Sequence, residues 1–103
     1  MTAQESQWLK KIIATEELHV LFQPIVDASQ QAVYGYEALI RGPKTSPLHS
    51  PLRLFEVATQ AGKLVELDIL CRRLAIHRFA ELELPGLLFL NVMPLTIVER
   101  DFR

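Results

Sequence analysis

The sequence predicts an α/β fold with a sheet of about three strands. Half of its 103 residues are hydrophobic, which is typical of strands that helices bury. The predicted order is a helix, two strands, two helices and a third strand. The helical connection between the second and third strands is a βαβ-type crossover. An open twisted sheet and an unclosed barrel both fit this order.

The first helix begins at Thr2, because Glu5 follows three residues later and completes a capping box. It carries one apolar stripe, formed by Trp8, Leu9, Ile12 and Ile13.

Two strands follow, predicted over Leu18 to Val26 and Val33 to Arg41, with a polar turn from Asp27 to Gln31 between them. A parallel crossover needs about a dozen residues or more, so this short connection predicts an antiparallel hairpin.

A proline-rich loop leads from the hairpin to the helices, and Ser50 and Pro51 are a good N-cap and first residue for the next helix. Gly62 ends that helix, and a longer one is predicted from Val65 to Leu82. A buried strand is predicted from Leu87 to Val92. Thr96 is a candidate start of another helix.

Composition excludes several classes of protein. The net charge of −1 provides no basic footprint for duplex nucleic acid, although a single Arg suffices for a small anionic ligand. Cys71 is the only cysteine and lies at helical spacing with Leu67, Leu70 and Leu74, so we interpret it as a core thiol. The start of the chain lacks a signal peptide and no apolar run reaches the roughly 18 residues of a membrane span, which predicts a cytoplasmic location.

Glu37 is the most informative candidate for chemistry. Strand side chains alternate, so Glu37 and Arg41 should share one face, about 13 Å apart along the strand. They share this face with Gly35 and Leu39, and the opposite face takes Tyr34, Tyr36, Ala38 and Ile40. An acid and a base at this spacing either bind two parts of one ligand or are ordinary charges on an exposed face.

Two further polar residues interrupt apolar strands. Asn91 ends the run from Leu87 to Leu90, at the carboxyl end where barrel enzymes place their sites, or else it caps the strand. Gln23 lies inside the first strand and is alternatively explained by a hydrogen bond across the hairpin.

The other charged residues are interpreted as structural. Glu66, Asp68, Arg72 and Arg73 fit the solvated face or the ends of a helix. The three histidines, at 19, 49 and 77, do not have the spacing of metal ligands.

Three segments taken together resemble the opening of EAL domains, the family of cyclic-di-GMP phosphodiesterases. They are Phe-Gln-Pro-Ile-Val at 22–26, Gly-Tyr-Glu-Ala-Leu-Ile-Arg at 35–41 and Phe-Leu-Asn-Val at 89–92. The tripeptide Glu-Ala-Leu alone carries no weight, but the ordered set is specific. Thr59 and Met93 depart from the family pattern, in which many relatives carry an acid at the first position and a small polar residue at the second.

The resemblance implies an incomplete (β/α) TIM-like barrel whose first strand is antiparallel to the rest. Residues 1–17 would be a lead-in helix and residues 18–103 the N-terminal part of the barrel, which needs about 250 residues when complete. By the same resemblance, Glu37 and Asn91 would bind Mg²⁺ or Mn²⁺, Arg41 would contact a phosphate of cyclic-di-GMP, and Gln23 and Leu39 would line the nucleotide site.

The sequence does not decide whether the chain acts as an enzyme. Three interpretations remain: the amino-terminal part of a phosphodiesterase, a cyclic-di-GMP receptor that does not hydrolyse its ligand, or a module that binds another protein. The family's later catalytic residues have no counterpart among the 103 residues, so the chain alone should be inactive. An unclosed barrel should also self-associate, unless the first helix covers the open face of the sheet through Trp8 and Ile12.

Overall fold

The structure is a computed structural model that describes residues 1–91. It has three helices and three strands. In chain order these are α1 (Ala3–Thr15), β1 (His19–Asp27), β2 (Ala32–Arg41), α2 (Pro51–Gln60), α3 (Leu64–Leu82) and β3 (Leu87–Phe89). The predicted α/β class is confirmed. None of the helices in this part of the chain is long and apolar enough to cross a membrane.

The three strands form one sheet in the order β1-β2-β3. β1 and β2 pair antiparallel, which confirms the predicted hairpin, and β2 and β3 pair parallel across the helical connection. β3 ends at Phe89, whereas the sequence predicted a strand as far as Val92. Val92 and the predicted helix start at Thr96 lie outside the described residues.

The predicted capping box of α1 is present. The Glu5 amide donates to Thr2 Oγ1 at 3.0 Å, and the Thr2 amide donates to Glu5 Oε1 at 2.8 Å. Glu5 also accepts two hydrogen bonds from the Arg53 guanidinium of α2, at 2.6 and 2.7 Å. At the other end of α1, Glu16 pairs with Arg73 of α3 at 2.6 Å. These two ion pairs fasten α1 to the other helices.

The core lies among the three helices and the loop before α2. Its members are almost fully buried and comprise Leu9, Ile12, Leu48, Leu54, Val57, Ala58, Leu67 and Cys71. Because Ile12 is completely buried in this cluster, α1 packs on helices and does not cover the open sheet face. The proposed cover through Trp8 and Ile12 was therefore wrong.

Strict alternation placed Tyr34 on the same face as Tyr36, and the structure corrects this. The hairpin register shifts beside Ile25 and Val26, a β-bulge that leaves Tyr34 without a partner in β1. The Tyr36 ring lies 6.1 Å from the Phe79 ring of α3, whereas the Tyr34 ring lies 5.8 Å from the Phe89 ring of β3. The extra residue of the bulge thus turns Tyr34 toward the other face.

Asp68 was predicted on the solvated face or at an end of a helix, but it is buried in the second turn of α3. It is only 3% exposed, and it accepts a hydrogen bond from Arg72 Nε at 3.0 Å. A buried carboxylate needs such a partner, and Arg72, one helical turn later, provides it. The neighbouring Cys71 is a buried core thiol as predicted, and burial together with the Asp68 charge raises its pKa to about 12.

Candidate functional site

The hairpin register gathers predicted site residues on one face of the sheet. Gln23 of β1 lies directly opposite Glu37 of β2, and Leu21 lies opposite Leu39. Opposite residues on neighbouring strands project to the same face, so the side chains of Gln23, Glu37, Leu39 and Arg41 all lie on it. We call it the Glu37 face.

β3 extends the Glu37 face. Phe89 is the partner of Glu37 in the parallel pairing, and Asn91 follows two residues after the end of β3. Gly35 explains how β3 approaches so closely, because a Cβ atom there would lie 2.6 Å from the Leu87 carbonyl oxygen and 2.8 Å from the Phe89 ring. The absence of a side chain at Gly35 lets the Phe89 ring lie over β2, next to Glu37.

No helix among residues 1–91 covers the Glu37 face. α3 packs against the opposite face, where Phe79 contacts the rings of Phe22 and Tyr36. Several large apolar side chains on the Glu37 face are consequently exposed, including Leu21 at 53% and Leu87 at 52%. Exposed apolar surface next to polar groups is the usual character of a binding surface.

A cavity of about 420 Å³ opens at the carboxyl end of β2, beneath α2 and α3. Leu39, Arg41 and Asn91 line it together, so the structure brings these three predicted residues to one place. Gln23 and Glu37 are not among the residues that line the cavity. The buried Asp68 and its partner Arg72 border the cavity as well.

The charges of the site have no salt-bridge partner within the described residues. Glu37 and Arg41 are half-buried, and neither forms an ion pair among residues 1–91. Arg41 instead donates from Nη1 to the neighbouring Ile40 carbonyl oxygen at 2.8 Å. An acid and a base that are both half-buried and unpaired are available to a ligand.

The donor set is suited to a hard divalent cation. Glu37 offers a carboxylate and Asn91 an amide oxygen, the ligand types that Mg²⁺ and Mn²⁺ prefer. Within residues 1–91 no group of three or more His, Cys, Asp or Glu side chains is arranged to hold a metal. These two residues have the donor atoms that such a cation prefers, and together they would supply only part of its coordination.

Sequence reasoning missed two members of the Glu37 face. His19 lies opposite Arg41, and the Tyr34 ring lies beside Phe89. Pairing the two strands from their turn without a bulge would place His19 opposite Ile40, so its position opposite Arg41 could not be read from the sequence. Nothing in the sequence marked the bulge that redirects Tyr34.

Comparison of the sequence with known proteins identifies the family of the chain. The EAL domain family profile matches residues 6–103, and the chain belongs to this family. A probable cyclic di-GMP phosphodiesterase, PdeI of Escherichia coli (strain K12), is 33% identical over 110 aligned positions. That alignment covers 96% of this chain and 14% of PdeI, so the chain spans about a seventh of its relative's length.

Proposed function

We propose that the chain supplies the first metal- and nucleotide-contacting elements of a cyclic-di-GMP phosphodiesterase domain of the (β/α)-barrel type. The observation that carries the proposal is the Glu37 face itself. It places Glu37 beside Gln23 and Phe89, with Leu39 and Arg41 further along β2. Membership of the EAL family and the likeness to a probable phosphodiesterase support the same ligand.

Each residue has a role that suits its chemistry. Glu37 and Asn91 would hold Mg²⁺ or Mn²⁺, which activates a water and neutralises charge on a phosphodiester when bound. Arg41 would donate through its planar fork to a ligand phosphate. Gln23 has amide donors and acceptors for a nucleotide, and Leu39 offers an apolar contact.

The chain alone should bind the metal weakly and should not hydrolyse cyclic-di-GMP at a useful rate. Two protein oxygens leave about four of the six positions around Mg²⁺ to water. Incubation of the purified chain with Mn²⁺ and cyclic-di-GMP, with chromatography of the products, tests this. Linear dinucleotide that forms only with metal, and disappears in Glu37→Ala, would show that the chain suffices for catalysis.

Binding experiments test the assigned roles. Calorimetric titration of cyclic-di-GMP in the presence of Mn²⁺ should show at least about tenfold weaker binding for Arg41→Ala, because a charge-assisted contact is lost. Lys63→Ala is the control, since Lys63 is an exposed cation just before α3 and lines neither the cavity at the carboxyl end of β2 nor the pocket beside β1. Equal affinities for wild type and both variants would refute the role of Arg41.

The second candidate is a receptor that binds cyclic-di-GMP without hydrolysis. The two candidates separate in a complete domain that contains these elements. Hydrolysis that Glu37→Gln abolishes identifies the phosphodiesterase, and binding without turnover identifies the receptor.

A further inference from the structure

The strand that carries Arg41 ends at Arg41 itself. Arg41 is the last residue of β2 and pairs with His19, the first residue of β1, so in the described part of the chain the pairing of β2 stops here. The two peptide groups that follow Arg41 must therefore be held by something other than the sheet. Because Arg41 lines the cavity at this end of β2, whatever holds them also sets the position from which its side chain starts.

His49, at the far end of the loop between β2 and α2, holds both of these peptide groups. Its carbonyl oxygen accepts a hydrogen bond from the Gly42 amide at 3.0 Å, which fixes the peptide group between Arg41 and Gly42. Its ring Nδ1 lies 2.9 Å from the Gly42 carbonyl oxygen, which fixes the next peptide group. A carbonyl oxygen only accepts, so Nδ1 carries the hydrogen and donates. We call these two bonds the Gly42–His49 clasp.

The rest of the loop supports the clasp. Leu48 is completely buried in the core, which anchors the residue before His49. Ser46 Oγ donates to the Pro43 carbonyl oxygen at 2.8 Å and accepts from the Leu48 amide at 3.1 Å. A Cβ atom at Gly42 would overlap the Leu48 carbonyl oxygen, so only glycine lets the two ends of the loop approach this closely. The loop is thus compact, and its buried polar groups satisfy one another.

From this geometry we propose that His49 is a positioning residue, which holds Arg41 in place to bind a phosphate of the ligand. The inference rests on the proposed role of Arg41 in nucleotide binding. His49 does not line the cavity, so it acts through Arg41 and not on the ligand. The half-buried Arg41 guanidinium has no hydrogen-bond partner among residues 1–91 other than the Ile40 carbonyl oxygen, so its direction follows from the backbone that the clasp fixes. A group that is held before the ligand arrives loses less entropy on binding.

Two substitutions of His49 in the 103-residue chain form a matched pair. His49→Asn and His49→Leu both branch at Cγ, but only the asparagine amide places a donor where Nδ1 stands. Calorimetric titration with cyclic-di-GMP and Mn²⁺ should give about the wild-type affinity for His49→Asn and at least about threefold weaker binding for His49→Leu. Without ligand, the Gly42 amide should exchange its hydrogen faster in His49→Leu only, because the clasp that protects it opens.

Two controls separate positioning from general stability. Ile12→Val, at a completely buried position of α1, should lower the melting temperature and leave the affinity unchanged, because it does not touch the loop. Thr45→Ala changes an exposed residue of the same loop and should alter neither. Circular dichroism shows that each variant is folded at the temperature of the titration. His49→Gln, whose amide lies one bond further from the backbone, takes the place of His49→Leu if that variant does not fold.

The outcomes distinguish this inference from the proposed function. Equal affinities of wild type and His49→Leu, with faster Gly42 exchange in the variant, would overturn the positioning role and leave nucleotide binding intact. Unchanged Gly42 exchange in His49→Leu, or an equal loss of affinity in His49→Asn, would overturn it as well. A wild type without measurable affinity for cyclic-di-GMP would refute the proposed nucleotide binding and this inference with it.

Discussion

The two faces of the sheet differ in what covers them. On one face, Phe22 and Tyr36 pack against Phe79 of α3, and the helices beyond form the buried core. On the Glu37 face no described helix packs, and Leu21 and Leu87 stay half exposed. The same hairpin therefore packs against the helices with one set of alternate residues and leaves the other set exposed.

This division explains where the sequence resemblance to EAL domains is concentrated. The Glu-Ala-Leu segment alternates between the faces, so Glu37 and Leu39 project to the open side while Ala38 is 6% exposed beneath the helices. Ala38 also borders the cavity between β2 and the helices α2 and α3. One short segment thus contributes side chains to both faces of the sheet.

The largest contrast between the faces should appear in stability. Leu54→Ala should lower the free energy of unfolding by about 2–5 kcal/mol, because Leu54 is completely buried in the core. Leu21→Ala should change it by less than about 0.5 kcal/mol in the monomer. Urea denaturation at a dilution that keeps the chain monomeric measures both. Equal losses for the two variants would show that the Glu37 face is part of the core.

A smaller effect tests the corrected position of Asp68. Asp68→Ala should lower the free energy of unfolding by about 2–3 kcal/mol, because it leaves Arg72 without its partner at the border of the cavity. Glu66→Ala, two residues earlier and exposed, should cost less than about 0.5 kcal/mol. Urea denaturation measures both variants. A negligible change in the free energy of unfolding for Asp68→Ala would show that Asp68 is solvated and not part of the buried interior.

The elements were predictable from sequence where the signal was local. The short turn after Asp27 fixed the hairpin, and Thr2 with Glu5 fixed the start of α1. Contacts between elements were not predictable, because they depend on how the helices pack. The pairing of Glu5 with Arg53, 48 residues later, is one example, and the burial of Asp68 is another.

The site was predictable only in part for the same reason. Alternation along β2 correctly put Glu37 and Leu39 on one face, and the structure agrees through the pairing of Gln23 with Glu37. The β-bulge broke that alternation at Tyr34, since an inserted residue shifts the register by one. The roles of these residues toward metal and nucleotide stay predictions.

The smallest effect concerns acid stability on the helical side. The Arg53 guanidinium, helped by the Thr2 amide, lowers the pKa of Glu5 from 4.5 to about 2. A carboxyl whose folded pKa is lowered stabilises the fold above its ordinary pKa and loses that contribution as the pH falls toward 2. Wild type should therefore lose stability more steeply between pH 4.5 and 2 than Glu5→Gln, as measured by thermal unfolding. Arg53→Gln should flatten the curve in the same way, and a slope unchanged in both variants would contradict this role.

The most direct test of the binding role of the Glu37 face is paramagnetic line broadening by Mn²⁺ in NMR spectra of the backbone amides. Substoichiometric Mn²⁺ should broaden the amides around Glu37 and Asn91 first, and Glu37→Gln should remove this broadening, because the amide lacks the charge that holds the cation. Glu66→Gln, on the exposed surface of α3, is the matched control and should leave the broadening unchanged. Broadening centred on α3, or broadening of the sheet that persists in Glu37→Gln, would contradict the account.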